Sequence, residues 1–150
     1  MIQKISTYNK INNYNQAVNK LSNFGIRPTK QRMILAKLLF KNPDRHISAE
    51  ELFEEVRKED RKISLATVYN NLKKFTKVGL LKELVVDQNK SIYCTNHDHH
   101  YHLYIEDESK VIDIPRKNID LNIPSIPACL SLHNVDIVVR VRTLKDKFKN

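Results

Sequence analysis

The sequence predicts an α+β chain: a winged helix-turn-helix over residues 1–94, followed by a small α/β dimerisation unit over residues 95–150. Three observations carry this expectation. Apolar residues recur at helical spacing in the first half, with hydroxyl caps ahead of two of the runs. An alternating hairpin follows the last of those helices directly, and beyond residue 95 the pattern turns to short β-branched runs.

The first helix follows from Tyr14, Ala17, Val18, Leu21 and Phe24, one 3.6-period stripe closed by Gly25, which can take the left-handed stop conformation. After Pro28, the run Met33 to Phe40 is too broadly apolar for a surface helix, which predicts a buried second helix ending before Pro43. Ser48-Ala49-Glu50-Glu51 has the capping-box pattern and starts a third helix whose inner face is Leu52, Phe53 and Val56. It should end in the charged stretch Arg57 to Lys62, before Ser64 caps a fourth. There Leu65, Val68, Leu72 and Phe75 form the inward stripe and Gly79 the stop. Two capped helices joined by a short turn are a helix-turn-helix. Leu81 to Val86, a turn at Asp87-Gln88-Asn89, and Ser91 to Cys94 then read as a hairpin, in this position a wing. Further strands are expected at His100 to Glu106, Lys110 to Ile114 and Val135 to Val141. Pro124 and Pro127 keep any helix between the last two short or broken. Roughly 55 residues make a poor solitary core, so the second unit should pair with another copy, as a homodimer.

The formal net charge is +9, and its distribution says more than its size. Residues 1–90 hold 18 Lys and Arg against 9 Asp and Glu, whereas residues 91–150 hold 8 of each. The whole excess lies in the first part, which suits a polyanionic partner, although a solvated Lys-rich surface would give the same balance. Two cysteines without a C-x-x-C pattern exclude a disulfide framework and a four-cysteine zinc site within one chain. No apolar run approaches the roughly 20 residues of a membrane span, and the N-terminus lacks a secretory apolar core, so a cytoplasmic protein is expected.

Forcing the apolar stripe of the fourth helix inward turns Thr67, Asn70, Asn71 and Lys74 outward, with Tyr69 on the flank. Such an amide-bearing face suits reading base edges in duplex DNA. Asn70 and Asn71 could meet adenine, the Thr67 methyl could meet thymine, and Lys74 and Arg27 could neutralise phosphates. The second constellation is His97-Asp98-His99-His100-Tyr101-His102, with four of the six histidines. On a strand, His100 and His102 share one face and can share a divalent ion, with further ligands from His46 and Cys94. A solvated His-rich loop is the plainer alternative. His133 alone reads as structural, and Asp120 alone as a turn carboxylate.

At this point the sequence resembles a known family. Gly25 to Arg32, His46 to Leu52 and Ser64 to Tyr69 resemble the winged-helix half of ferric uptake regulators, and His99 to Leu103 with Lys110 to Asp113 resembles the start of their dimerisation half. Within the family, Asp44-Arg45-His46, Ser64 to Asn70, the His-rich entry and Val138 to Arg142 look like the haem-responsive iron response regulators. The resemblance implies a homodimer that binds AT-rich operator DNA and adjusts iron and haem genes, a repressor with a divalent metal (Fe, Mn or Zn) and haem as a further candidate. It places an inter-domain metal site at His46, Cys94, His100 and His102, with Cys94 where a carboxylate is usual. A second metal or haem site would map to His99, Tyr101, His102, Asp120 and His133 or the neighbouring Asn134. The paired cysteines that usually hold structural zinc correspond to Ile105 and Glu108, and the Cys-Pro haem motif is missing, since Cys94 precedes Thr95 and Cys129 precedes Leu130. Haem ligands would then come from His99, His100 and His102, with Tyr101.

Three rivals remain. A peroxide- or other metal-responsive regulator of the same family fits the same residues. A metal- or haem-binding protein without DNA function would use the histidines alone. A metal-dependent hydrolase lacks any H-E-x-x-H or paired general-base pattern, so no enzyme is expected.

Overall fold

The computed structural model describes residues 11–144 and divides into two compact units, one ending at His97 and the next beginning at Asp98. No helix among the described residues is long and apolar enough to cross a membrane.

In the first unit, α1 (Tyr14–Asn23), α2 (Lys30–Leu39), α3 (Ala49–Lys58) and α4 (Leu65–Lys77) begin on the side-chain caps Asn13, Thr29, Ser48 and Ser64, each oxygen accepting from a backbone N–H three residues on. The capping box closes in both directions: the Glu51 N–H donates to the Ser48 hydroxyl at 3.2 Å, and the Ser48 N–H donates to the Glu51 carboxylate at 2.7 Å. Gly25 (φ 71°) and Gly79 (φ 80°) end α1 and α4 in the left-handed region, which costs glycine least. The inward faces meet in one core, with Leu21, Leu35, Leu39, Phe40, Leu52, Val56, Val68, Leu72 and Phe75 fully enclosed.

The wing is β2 (Lys82–Asp87) and β3 (Lys90–Cys94), joined through Gln88-Asn89. The register slips between Val85 and Asp87, so a bulge supplies the curvature that the Gly-free turn cannot. One strand was not expected. β1 (His46–Ile47) pairs antiparallel with β3, giving the order β1-β3-β2. Two residues are too few for a periodicity to show, and the pairing is made by partners about fifty positions away.

The second unit is a mixed sheet of β4 (His100–Ile105), β5 (Lys110–Pro115) and β6 (Val138–Val141) in the order β5-β4-β6. Among the described residues, the expected helical part of this α/β unit is reduced to one 3-10 turn, Arg116–Asn118. Between it and β6 the chain runs without a regular element, as Pro124 and Pro127 dictate. The strand expected at Val135 to Val141 is shorter because parallel pairing with β4 starts at His102↔Val138.

Candidate metal centre and nucleic-acid interface

On α4, Val68, Leu72 and Phe75 are fully buried, whereas Asn70, Lys73 and Lys74 are exposed and Tyr69 keeps 40% of its surface. Thr67 and Asn71 differ from the expected outward set, for both are half-buried. The Thr67 hydroxyl accepts from Ser64 at 2.9 Å within the N-terminal cap. The Asn71 amide donates to the Thr67 carbonyl at 2.9 Å and accepts from Arg32 Nε at 3.1 Å. The Tyr69 hydroxyl donates to Glu50 of α3, which raises its pKa above the ordinary tyrosine value, chiefly because that bond favours the protonated phenol. Arg27 is exposed in the loop before α2. Between the start of α3, α4 and the wing lies an open groove of about 790 Å³, bordered by Ser48, Glu50, Tyr69, Asn70, Lys73 and Tyr93. Lys73 is a candidate that the sequence reading passed over, since it sits one position off the polar stripe.

Each unit carries donor atoms for a metal. In the first, His46 and Cys94 are cross-strand partners on β1 and β3, their ligand atoms within 4.8 Å of each other. The register is fixed just beside them: Arg45 N–H donates to Thr95 Oγ1 at 2.9 Å, and Thr95 N–H to the Arg45 carbonyl at 3.0 Å. The Arg45 guanidinium reaches both Glu55 oxygens, at 2.6 and 3.3 Å, and also donates to the Leu38 carbonyl, which ties this strand to α2 and α3.

In the second unit, His100 and His102 lie on one face of β4, with their Nε2 atoms 2.8 Å apart. Asp113 of β5 stands opposite His102 in the ladder, its Oδ1 3.2 Å from His100 Nε2 and 3.5 Å from His102 Nε2. His100 Nδ1 is 2.5 Å from the Asp98 carbonyl. A carbonyl only accepts, so Nδ1 donates in that contact, and in the neutral ring Nε2 then keeps its lone pair for a ligand. Two imidazole nitrogens and a carboxylate oxygen converging in this way suit a divalent first-row ion. Asp113 was missed as a ligand, although the hairpin register contains it: the four residues Glu106 to Ser109 turn the chain so that Ile105 faces Lys110 and His102 faces Asp113.

The second site suggested by the resemblance is not assembled. His99, Asp120 and His133 are exposed, and no group of three or more His, Cys, Asp or Glu among the described residues includes any of them. His102 belongs with His100 and Asp113. Tyr101 alternates to the opposite face of β4, is buried, and accepts from Arg116 Nε at 3.3 Å. Tyr101 thus lies on the face away from His100 and His102.

A winged-helix unit with an exposed polar helix face, and a sheet carrying a divalent-ion donor set, define a metal-responsive DNA-binding transcription regulator rather than an enzyme. The model of the ferric uptake regulator family matches residues 23–140, and the chain belongs to that family, whose members bind operator DNA, typically as dimers. The peroxide-responsive repressor PerR of Staphylococcus saprophyticus is 32% identical over 104 residues, covering 69% of this chain and 70% of the relative. Two solved structures share the fold. The Vibrio cholerae ferric uptake regulator has a TM-score of 0.66 at 24% identity, covering 84% of this chain and 98% of that one. The Pseudomonas aeruginosa ferric uptake regulator with manganese has a TM-score of 0.66 at 22% identity, covering 86% and 98%. The expected closeness to the haem-responsive branch is thereby corrected, since the curated relatives are peroxide-responsive repressors. The residues that suggested it serve the shared fold: Ser64 caps α4, Arg45 anchors β1, and Val138–Val141 pairs with β4.

Proposed function

We propose that the protein is a cytoplasmic, homodimeric, metal-dependent repressor of the peroxide-responsive kind that reads AT-rich operator duplexes. The observation that carries this reading is the pair of donor sets, His46 with Cys94 in the first unit and His100, His102 and Asp113 in the second. A divalent ion held by these donors would couple the ligand state of the protein to its binding of operator DNA. The exposed faces of Asn70, Tyr69, Lys73 and Lys74, with Arg27 beside them, would meet the duplex. Leu121, Ile123, Leu130 and Leu132, all exposed in the second unit, would be covered by a second copy. The peroxide-responsive relative, rather than haem ligation, favours this choice of signal.

One observation favours a second reading. Cys94 brings a soft thiolate to a set otherwise built of imidazole and carboxylate, which shifts preference toward zinc and away from manganese. A zinc-responsive repressor of the same architecture follows from that preference.

The test is a gel shift on a pool of AT-rich duplexes, with the protein stripped by chelator and reloaded with Fe²⁺, Mn²⁺ or Zn²⁺, before and after hydrogen peroxide. The first reading expects metal-dependent binding that peroxide abolishes in the Fe²⁺ form. Binding restored by Zn²⁺ alone and untouched by peroxide selects the second. No duplex binding with any ion would leave a metal-binding protein without a DNA function and overturn both.

A further inference from the structure

We infer that Asn70 is the specificity-determining amide of α4 and that Asn71 is a positioning residue, clamped by Arg32, which sets the register between the base-reading helix and the loop carrying Arg27. The inference rests on the DNA-binding reading above and goes beyond it, because it gives different tasks to two adjacent residues of the same type.

A bidentate contact to adenine uses both ends of an Asn amide, one as donor and one as acceptor. Both ends of Asn71 are already directed into the protein. Its Nδ2 donates to the Thr67 carbonyl at 2.9 Å, and its Oδ1 accepts from Arg32 Nε at 3.1 Å. Chemistry fixes this orientation, since a carbonyl cannot donate and a guanidinium cannot accept. Turning the amide to a base would give up two bonds, one of them charge-assisted. Asn70 is exposed, and none of its side-chain polar atoms is engaged among the described residues.

The same guanidinium donates through Nη1 to the Arg27 carbonyl at 2.9 Å. Arg32 lies in the first turn of α2, where its N–H donates to the Thr29 cap. One planar side chain thus joins the backbone of the Arg27 loop, the start of α2 and the middle of α4. A phosphate contact from Arg27 and a base contact from Asn70 would be held at one fixed separation. Lysine cannot reproduce this, because an ammonium lacks the fork that serves two acceptors in set directions.

The experiment compares wild type, Arg32→Lys, Asn71→Ala, Asn71→Asp and Asn70→Ala in the metal-loaded full chain. A randomised duplex pool is selected by the wild type, and affinity is then measured on the selected duplex and on a scrambled one over a salt series. Arg32→Lys and Asn71→Ala should each lower the selected-to-scrambled ratio about tenfold, the size of one good base contact, with the salt slope unchanged. Asn71→Asp keeps the acceptor for Arg32 but loses the donor to the Thr67 carbonyl, so its ratio should fall less than that of Asn71→Ala, while Asn70→Ala should lose it. A second readout needs no DNA: the Arg32 Nε–H resonance should be protected from solvent exchange in the wild type and lose protection in Asn71→Ala.

An unprotected Arg32 Nε–H in the wild type overturns the clamp. So does a ratio that falls in Asn71→Ala but not in Arg32→Lys, which would make Asn71 a base reader. A salt slope lowered by about one in Arg32→Lys with the ratio intact would make Arg32 a phosphate contact instead. Failure of the wild type to bind any duplex removes the regulator reading itself, whereas normal wild-type selection with unaffected variants removes only this inference.

Discussion

The two units bury apolar surface in very different ways. The first encloses Leu21, Leu35, Leu39, Phe40, Leu52, Val56, Val68, Leu72 and Phe75 from every side, whereas the second buries Tyr101, Tyr104, Val111 and His102 and leaves Leu130 at 63% and Leu132 at 52% exposure. The first has the core of a self-sufficient domain. The second has the surface of half a domain, and its polar donor set competes for the little interior it owns. Under the proposed homodimer, stability and assembly would be separated along the chain, one carried by helix packing and the other by contact with a second copy.

The largest effect should come from striking the first core. Phe75→Ala removes a fully enclosed ring between α4 and its neighbours and should cost about 3–5 kcal/mol of that unit's stability, read as a lower unfolding midpoint. Hydrogen exchange at β4 and β5 should stay near wild type if the units are energetically separate. Loss of protection in β4 together with α4 would break the comparison. Next in size is the opposite blow. Leu130→Ser with Leu132→Ser should weaken dimerisation about a hundredfold or more, taking roughly 1.5–3 kcal/mol per leucine buried at an interface, with the midpoint of the first unit unmoved. Sedimentation over a concentration series measures this, and a wild type that stays monomeric at every concentration would contradict it.

How much was legible follows the same division. The four helices could be placed from period and caps because those signals are local: Ser48 with Glu51, Ser64 before Leu65, Gly25 and Gly79. The donor set was legible in part. His100 and His102 follow from strand alternation, whereas Asp113 needs the register of a hairpin, and the His46 and Cys94 pairing needs a two-residue strand that exists only because β3 is there to receive it. Asn71 could not be told from Asn70 by spacing, because what separates them is a guanidinium 39 positions away. The residues that the resemblance gives to a second site are not brought together for a related reason: a resemblance carries residues across one at a time, and the segment holding Asp120 and His133 lacks the regular structure that would bring them to β4.

A smaller effect concerns Lys20, whose Nζ lies 4.1 Å above the Phe40 ring. Burial there lowers its pKa from 10.5 to about 8. Between those values the unfolded chain holds more protons than the folded one, so stability rises with pH from about 8 to 10.5 and is lowest below that window, where the folded state carries the buried cation. With the side chain still partly open to solvent, the gain is about 1 kcal/mol after allowing for screening. Lys20→Met should be more stable than wild type at pH 7 and lack the alkaline rise, as thermal unfolding over a pH series would show. An identical pH profile would place the ammonium in water rather than against the first core.

The smallest effect separates two ion pairs that look alike. Burial pushes the Glu55 carboxyl upward, but the hydrogen bonds and charges of Arg45 and Lys41 outweigh it and hold the group below the ordinary value of 4.5. Its contribution is therefore complete above that value and is lost as pH falls through the depressed pKa. In the second unit Glu106 pairs with Arg142 at 2.6 Å, but the arginine is 81% exposed and the pair is open to water and salt. Glu55→Gln should flatten the acid limb of unfolding by well under 1 kcal/mol, and Glu106→Gln should leave it unchanged. The first pair also holds β1 against α2 and α3, so Glu55→Gln should loosen the setting of His46 and weaken metal retention slightly more than it weakens the fold. Equal acid limbs for the two variants would mean that Arg45 and Glu55 are bridged by solvent, and that β1 is kept in place by its pairing with β3 and the Arg45 bond to the Leu38 carbonyl.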